Sequence, residues 1–152
     1  MAKQKKKSSD LAKNKKAYFQ YEILEKIEAG IELKGTEVKS CREHSIAMTD
    51  AYVKIENGEA WLLNVNIAPY KYGNQFNHSS VRPRKLLLHK REILKLANKI
   101  REKGLTVIPL KFYLKNGKVK VLIGVGKGKT FADKRETLKK RQHDMDAKRS
   151  IR

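Results

Sequence analysis

The chain has 152 residues, of which 36 are Lys or Arg and 16 are Asp or Glu, so its formal net charge at neutral pH is +20. Such a charge favours an anionic partner, and because the longest dense apolar stretch is only Leu86-Leu87-Leu88, we expect nucleic acid as that partner and no membrane. A single cysteine, Cys41, excludes an internal disulfide, and the Lys-rich N-terminus lacks the apolar core of a signal peptide, so we expect a cytoplasmic protein.

The positive charge is concentrated towards the two ends of the chain. Residues 1–16 and residues 127–152 each carry a net charge of +6, whereas the much longer stretch 17–126 carries +8. Because both ends contain few apolar residues, they cannot bury enough surface to offset the entropy of ordering. We therefore expect a basic flexible segment at 1–16, a nucleic-acid-binding domain at 17–126 and a basic tail at 127–152 that is disordered when free. Ends that serve only solubility are the alternative, although acidic residues would serve it at least as well.

The first predicted element is a strand within residues 18–34. Apolar side chains occupy most odd positions and charged side chains most even positions, which is the period of a half-buried strand. Leu24 and Glu25 break the phase, so we expect a β-bulge there. The length fits either one long bent strand or two strands that meet near Gly30.

A short helix and a hairpin are predicted next. Thr36 is a candidate N-cap for the helix, with Cys41 on its inner face. Asn57-Gly58 then separates two alternating segments, 53–55 and 61–67. An Asn-Gly pair tolerates positive φ at both positions and is the strongest short-range signal of a hairpin.

A polar loop and an amphipathic helix follow the hairpin. The loop, 68–84, is rich in Asn, Ser, Pro and Gly, and the helix is expected at about 86–103, ending at Gly104. Its buried stripe consists of Ile93, Leu96, Ala97 and Ile100.

A second hairpin completes the predicted domain, with Asn116-Gly117 between the alternating segments 108–114 and 119–125. Five or six short strands and one capping helix favour a mainly β fold. We expect an OB-like antiparallel β-barrel, closed or nearly closed, followed by a flexible basic C-terminal tail.

Catalytic chemistry finds little support in the sequence. The four histidines are scattered along the chain, at His44, His78, His89 and His143, so we expect no metal and no cofactor. Cys41 and His44 lie one turn apart, but nothing near them suggests an oxyanion hole. Residues 124–130 end in Gly-Lys-Thr like a phosphate-binding loop, yet Ile123 stands where that motif needs Gly. We interpret these glycines as the frayed end of a strand, and the protein as a binding protein rather than an enzyme.

Basic residues next to aromatic ones indicate RNA binding more directly. Lys15 and Lys16 precede Tyr18, Phe19 and Tyr21, a combination that can neutralise phosphates and stack on bases. A second basic cluster at the entry to the long helix consists of Arg82, Arg84, Lys85, Lys90 and Arg91. The alternatives are that Phe19 and Tyr21 belong to the core and that the second cluster is an ordinary solvated face.

An ordered set of short motifs carries a resemblance to a known family. The motifs are Asn14-Lys15-Lys16-Ala17, Glu28-Ala29-Gly30-Ile31, Gly35-Thr36-Glu37-Val38-Lys39-Ser40, Asn66-Ile67-Ala68-Pro69-Tyr70, Arg84-Lys85-Leu86-Leu87-Leu88, Gly104-Leu105-Thr106-Val107-Ile108-Pro109-Leu110 and Asp133-Lys134-Arg135. Together they closely resemble small protein B, the family of SsrA-binding (tmRNA-binding) proteins of bacteria, over roughly residues 12–150.

The resemblance implies an OB-like barrel with flanking helices that binds the tRNA-like domain of tmRNA. It also implies delivery of that RNA to stalled ribosomes, where trans-translation rescues the ribosome and tags the incomplete protein for degradation. In the family, the C-terminal tail occupies the vacant decoding centre and mRNA channel of the small subunit and becomes helical there. The implied partners are therefore tmRNA and small-subunit rRNA; we expect no DNA and a monomer.

Matching positions and the basic clusters together define two sets of candidate site residues. The expected tmRNA contacts are Lys15, Lys16, Tyr21, Glu28, Lys39, Leu88, His89, Lys90, Lys118, Lys120, Lys127 and Lys129. The expected ribosome contacts in the tail are Phe131, Asp133, Lys134, Arg135, Lys139, Lys140, Arg141, Lys148 and Arg149. For Glu28, hydrogen bonding to a base or ribose, positioning of a neighbouring Lys, and plain surface charge all remain open.

The chain departs from the family pattern at a few positions. Ala132 stands where many members have an aromatic residue or His as a stacking group, so Phe131 would have to take over that role. Thr130 stands where Lys is frequent, and Phe19 stands where His is frequent. A structural ribosomal protein with the same barrel and basic ends is the competing functional hypothesis.

Overall fold

The computed structural model describes residues 10–72, 77–102, 104–129, 135 and 138–142. The elements are, in chain order, β1 (Asp10–Lys13), α1 (Lys15–Gln20), β2 (Tyr21–Ile31), α2 (Gly35–Arg42), β3 (Ile46–Ala47), β4 (Tyr52–Glu56), β5 (Glu59–Leu63), β6 (Asn66–Ile67), β7 (Arg84–Leu87), α3 (Lys90–Arg101), β8 (Leu105–Lys115) and β9 (Lys118–Gly128). All strand pairs are antiparallel, which confirms the predicted mainly β class.

Seven of the strands form one sheet in the order β1-β8-β9-β2-β7-β5-β4, and β3 pairs with β6 separately. The sheet curves, because β4 at one end of this order packs against β8 near the other end. In the described part of the chain, β1 and β4 are the two edge strands of this sheet and are not paired with each other. Closure into a hydrogen-bonded barrel therefore stays a prediction.

Both predicted Asn-Gly hairpins are confirmed. Asn57 and Gly58 have φ of 51° and 72°, and Asn116 and Gly117 have φ of 53° and 74°, as two-residue turns with positive φ at both positions require. The predicted strand 61–67 is wrong in its second half. The chain turns at Asn64, where φ is 63°, and β6 pairs with β3 instead of extending β5.

The predicted strand at 18–34 is wrong at its start, because α1 occupies residues 15–20. The Asn14 side chain caps this helix: its oxygen accepts a hydrogen bond from the Ala17 N–H at 3.2 Å. Its amide nitrogen donates to the Pro109 carbonyl at 2.8 Å, which fixes the helix start against β8. A capped turn with tertiary support therefore overrides the alternating pattern of residues 18–20.

The predicted β-bulge in β2 is confirmed, and β2 is one continuous strand. Ile23 pairs with Gly126 and Glu25 with Val125, which leaves Leu24 outside the ladder and exposed. Because side chains alternate along a strand, one extra residue turns Tyr21 and Ile23 to the face opposite that of Ile27 and Ala29.

A small second core lies on the face that α1 covers. Its buried members are Ala17, Ile108 and Leu110, with Tyr21, Ile23 and Leu122 packed partly against them. A Cβ atom at Gly124 would lie 2.8 Å from Leu110 Cδ1, and one at Gly126 would lie 2.9 Å from Tyr21 Cβ. The interpretation of these glycines as a frayed end is therefore wrong. They belong to a paired strand whose backbone must be approached closely by neighbouring side chains.

The main core lies on the other face of the sheet. It includes Leu62, Leu86, Leu96, Phe112 and Ile123, each at most 1% exposed. Leu96 comes from α3, and Ile93 and Ile100 pack beside it, which confirms these three residues of the predicted stripe; Ala97 is half-buried.

Helix α3 starts at Lys90 rather than near residue 86, because residues 84–87 form β7. This strand lies between β2 and β5, with Gly30 opposite Leu87. His89 precedes the helix, and its backbone N–H donates to the Glu92 carboxylate at 3.1 Å. The short strand thereby places Leu88 and His89, which precede α3, at the edge of the outer face of the sheet.

Candidate nucleic-acid interface

The outer face of the curved sheet, turned away from the main core, is basic. It carries Lys26 and Glu28 on β2, Lys118 and Lys120 on β9, Lys111, Tyr113 and Lys115 on β8, and Lys85 and Leu87 on β7. Neighbours in register share a face. One row runs across five strands through Leu87, Gly30, Lys120, Tyr113 and Asp10.

A groove of about 620 Å³ opens on this face, next to the N-terminus of α3. Four of the predicted tmRNA contacts line it, namely Glu28, Leu88, His89 and Lys120. Gly30 forms part of its floor, where a Cβ atom would lie 3.1 Å from Leu87 Cβ and 3.5 Å from Lys120 Nζ. With the carboxylates of Glu59 and Glu92 and the ammonium group of Lys85, the groove combines acidic and basic groups, an imidazole and apolar surface, the mixture that suits a structured RNA with accessible bases.

Glu28 is held by two hydrogen bonds from β8. It accepts one from the Tyr113 hydroxyl and one from Lys115 Nζ at 3.2 Å. These bonds, the Tyr113 bond first, hold the pKa of Glu28 below its ordinary value. Burial and then the bond to Glu28 raise the pKa of the Tyr113 hydroxyl. Glu28 thus contacts a neighbouring Lys, and its role towards RNA stays a prediction.

His89 and Leu88 occupy the turn between β7 and α3. His89 is exposed, whereas Leu88 is half-buried against the main core. The position of His89 at the start of a twelve-residue helix also places it where helix amides favour negative charge. A phosphate near this turn would therefore meet both the imidazole and the helix end.

Other predicted tmRNA contacts lie at the far end of β9, around α1. Lys15 and Lys16 are exposed on α1, and Lys127 is exposed on β9. Lys129 Nζ donates to the Tyr18 carbonyl at 3.1 Å, so it secures α1 as well as adding charge. Tyr21 packs partly in the second core, which agrees with the alternative that this residue belongs to the core. It also lines a small cleft with Lys16.

Three predicted contacts are dispersed around the domain. Lys118 is exposed at the start of β9, two residues from Lys120. Lys90 is exposed at the first turn of α3 and borders a second groove, lined by Ile55, Ile93 and Leu94. Lys39 is exposed on α2, with its Nζ 5.3 Å from the centre of the Tyr70 ring.

The expected basic cluster at the entry to α3 is wrong for Arg84. Arg84 is fully buried and donates to Glu37 at 2.5 Å and to the Val65 carbonyl at 2.8 Å. Arg82 donates to the same carboxylate from Nε at 3.1 Å. Glu37 is itself fully buried and accepts from the Lys34 backbone N–H, so it, and not Thr36, caps α2. Arg84 is therefore a core residue, whereas Arg82, whose side chain is 26% exposed, pairs with the same buried carboxylate from the surface.

The tail is described only in part. Of the predicted ribosome contacts, Phe131, Asp133, Lys134, Lys148 and Arg149 lie outside the described residues. The backbone is helical at Arg135, Lys139, Lys140 and Arg141, and all four side chains are exposed. The Arg141 guanidinium lies 5.9 Å from the centre of the Phe19 ring.

Sequence reasoning did not single out Tyr113, Lys115 or Glu37. The alternation of residues 108–114 placed Tyr113 outward, but its contact with Glu28 depends on strand order, which the sequence does not give. Within the described residues, no group of three His, Cys, Asp or Glu side chains is placed to hold a metal ion. Nor is any helix in that part of the chain long and apolar enough to cross a membrane.

Comparison with known proteins gives a consistent result. The family model described as SmpB protein matches residues 11–152. An SsrA-binding protein of Persephonella marina is 56% identical over 141 residues, covering 93% of this chain and 90% of the relative. That of Carboxydothermus hydrogenoformans is 54% identical over 142 residues, covering 93% and 95%. That of Ligilactobacillus salivarius is 51% identical over 152 residues, covering 100% and 98%.

A solved structure described as "tmRNA-SmpB: a journey to the center of the bacterial ribosome" contains a similar chain. The TM-score is 0.68 at 46% identity, over 84% of this chain and 93% of that one. Sequence and fold thus agree over most of the chain.

Proposed function

The chain belongs to the SmpB family, and from this membership we propose that it binds tmRNA (SsrA RNA) at its tRNA-like domain and delivers it to stalled ribosomes. Delivery starts trans-translation, in which the ribosome resumes on the tmRNA reading frame. The ribosome is thereby rescued, and the incomplete protein is tagged for degradation. The partners are tmRNA and the ribosome.

The groove on the outer face is the observation that carries the RNA-binding step. Lys120 offers charge to phosphates, whereas Glu28 accepts hydrogen bonds and so suits base amino groups or ribose hydroxyls better. Because Tyr113 and Lys115 fix the Glu28 carboxylate before RNA arrives, little ordering entropy is lost on binding. Leu88 and His89 complete the contact at the edge of α3.

The basic tail supplies the second RNA contact in this proposal, with the small-subunit rRNA at the decoding centre. A charged segment of low apolar content can enter an rRNA-lined channel only where mRNA is absent. Specificity for stalled ribosomes then comes from competition with mRNA rather than from base readout. Phe131 takes the stacking role for which Ala132 has no ring.

We further propose that the protein acts by binding alone, as a monomer, in the cytoplasm where ribosomes translate. Cys41 fits this role, because burial raises the pKa of its thiol to about 12 and so keeps it unreactive. No step in the proposed function requires a metal or a cofactor.

The test of tmRNA binding is an equilibrium titration with tmRNA and with a canonical tRNA of similar size. We expect a clear preference for tmRNA and a roughly tenfold or larger loss for Glu28→Gln, since a hydrogen bond to a charged group is lost. Glu56→Gln on β4 is the matched control, because that exposed carboxylate pairs with Lys54 outside the groove. Equal affinity for both RNAs, or capture of rRNA alone from cell extract, would favour a structural ribosomal protein instead.

The division between domain and tail is tested by deleting residues 133–152. We expect tmRNA affinity to stay nearly intact and tagging of incomplete proteins to stop. A deletion that collapsed tmRNA affinity would contradict this division of roles.

A further inference from the structure

The loop after β6 carries a pair of tyrosines outside the groove. The Tyr70 and Tyr72 ring centres are 5.6 Å apart, with planes inclined at 69°, an edge-to-face contact. Tyr72 is 73% exposed, more than any other large apolar side chain in the described part of the chain. A ring that contacts a second ring and is otherwise open to solvent is poorly explained by folding alone, because it buries little area there.

Two lysines lie over these rings. Lys39 Nζ is 5.3 Å from the Tyr70 ring centre, and Lys71 Nζ is 5.5 Å from that of Tyr72. At this distance a cation is attracted to the ring face, so each ammonium group is held next to an aromatic surface. The result is an exposed ring with positive charge beside it.

The loop that carries the rings is braced by Asn77. The Asn77 side chain accepts a hydrogen bond from the Tyr70 N–H at 3.2 Å and donates one to the Tyr70 carbonyl at 2.8 Å. Its oxygen also accepts from the His78 N–H at 3.0 Å. One carboxamide therefore satisfies both backbone groups of Tyr70 and fixes its position.

His78 connects this loop to the rest of the fold. It is 5% exposed, with Nε2 2.8 Å from the Ile67 carbonyl and Nδ1 2.9 Å from the Thr36 hydroxyl. Thr36 lies on α2, the helix that also carries Lys39. The tyrosines and Lys39 are thus parts of one braced unit, and a surface already in place loses little entropy when it binds.

We propose that Tyr72, supported by Tyr70 and flanked by Lys39 and Lys71, stacks on an unpaired nucleobase of the tmRNA. The lysines contact the phosphates next to that base. A nucleotide in an RNA loop offers a flat ring and a negative charge within a few ångströms, which matches this surface. The inference rests on the proposed function and adds to it a second contact, separate from the groove at Glu28.

The test compares tmRNA affinity among the wild type, Tyr72→Phe and Tyr72→Leu. Phe keeps the ring, so that variant is expected to bind like the wild type, whereas Leu is expected to weaken binding by about five- to a hundredfold. Glu56→Gln is the control, because this exposed carboxylate on β4 pairs with Lys54 and lies outside both the groove and the loop. Circular dichroism spectra of all four proteins check that each is folded.

Ultraviolet cross-linking of the complex gives a second readout. Trypsin cleaves after Lys71, so a base stacked on Tyr72 adds its nucleotide mass to the peptide that begins at Tyr72. The stacking contact is overturned if Tyr72→Leu binds tmRNA as tightly as the wild type and the peptide carries no nucleotide mass. This holds even if that variant has lost binding to a protein partner. If the wild type prefers tmRNA over tRNA in the same titration, the proposed function stands although the stacking contact has failed. If the wild type shows no such preference, the proposed function and the stacking contact both fail.

Discussion

The hydroxyl of Tyr113 on β8 donates a hydrogen bond to the carboxylate of Glu28 on β2, reaching across β9, which lies between the two strands. Lys115 donates to the same carboxylate at 3.2 Å. These bonds, the one from Tyr113 first, lower the pKa of Glu28. Glu28 therefore keeps its negative charge at pH values where an ordinary Glu begins to take up a proton.

Replacing Tyr113 by Phe removes the first of these bonds and keeps the ring. We expect the pKa of Glu28 to rise in this variant towards the ordinary value of 4.5. The measurement is an NMR titration of the Glu28 side-chain carboxyl carbon. Tyr52→Phe on β4 is the control and should leave the Glu28 titration unchanged. An identical Glu28 pKa in Tyr113→Phe and the wild type would show that the hydroxyl does not act on this carboxylate.

Lys120 and Glu28 line the same groove but are expected to respond differently to salt. A Lys that contacts a phosphate releases a counterion, so Lys120→Ala should reduce the slope of log affinity against log salt by about 0.7 to 0.9. Glu28→Gln should lower affinity at every salt concentration with little change in slope. Titrations with tmRNA at several salt concentrations measure both. A Lys120→Ala variant with the wild-type slope would place Lys120 away from any phosphate.

Arg84 and Arg82 bind the same carboxylate but should contribute very differently to stability. Arg84→Ala leaves Glu37 and three backbone carbonyls short of a donor, so we expect the free energy of unfolding to fall by about 3–5 kcal/mol. Arg82 is 26% exposed, and we expect Arg82→Ala to cost about 1 kcal/mol because solvent screens the pair. Urea denaturation followed by circular dichroism measures both. Equal losses would contradict the central role of Arg84.

The contrast between Arg84 and the hairpins shows what the sequence can and cannot predict. Asn57-Gly58 and Asn116-Gly117 specify their turns locally, because the φ values they adopt are intrinsic to these residue types. Arg84 is followed by Lys85 and reads as a surface position. Its burial depends on Glu37, which is 47 residues away in the chain. No local pattern reports such a partner.

The misplaced start of α3 has the same kind of cause. Residues 86 and 87 carry no turn signal, so the sequence predicts that the helix begins there. They belong to β7 because β2 and β5 both offer hydrogen-bonding edges to it. In the candidate site, similarly, Glu28 and His89 came from resemblance, whereas the Tyr113 contact emerged only from strand order.

Glu37 also predicts how stability depends on pH. Burial would raise the pKa of Glu37, but hydrogen bonds from two arginines and from the Lys34 N–H outweigh it, and the pKa lies below the ordinary 4.5. A carboxyl with a lower pKa in the folded chain favours folding above its unfolded-state pKa, and this contribution disappears as pH falls through the folded-state value.

We therefore expect Glu37→Gln to be less stable than the wild type at neutral pH. The difference should narrow as pH is lowered through and below 4.5, because the wild type then protonates Glu37 and loses the same interaction. Urea denaturation at a series of pH values between 7 and about 3 measures the difference, the lower limit being set by the acid range in which such carboxyls titrate. A constant difference over this range would mean that Glu37 does not titrate with folding.

Gly126 tests whether the close packing of α1 and β2 on β9 is required. A Cβ atom there would lie 2.9 Å from Tyr21 Cβ, a backbone-anchored atom that cannot swing aside. We expect Gly126→Ala to lower the free energy of unfolding by about 1–3 kcal/mol, as overpacking does. Gly128→Ala is the matched control, since nothing lies within 4 Å of a Cβ at that position on the same strand. Because Tyr21 lies between β9 and α1, Gly126→Ala should also shift the NMR signals of Lys16 and Ala17. A variant with unchanged stability and unchanged NMR signals would show that β9 and α1 are not packed as tightly as their contacts indicate.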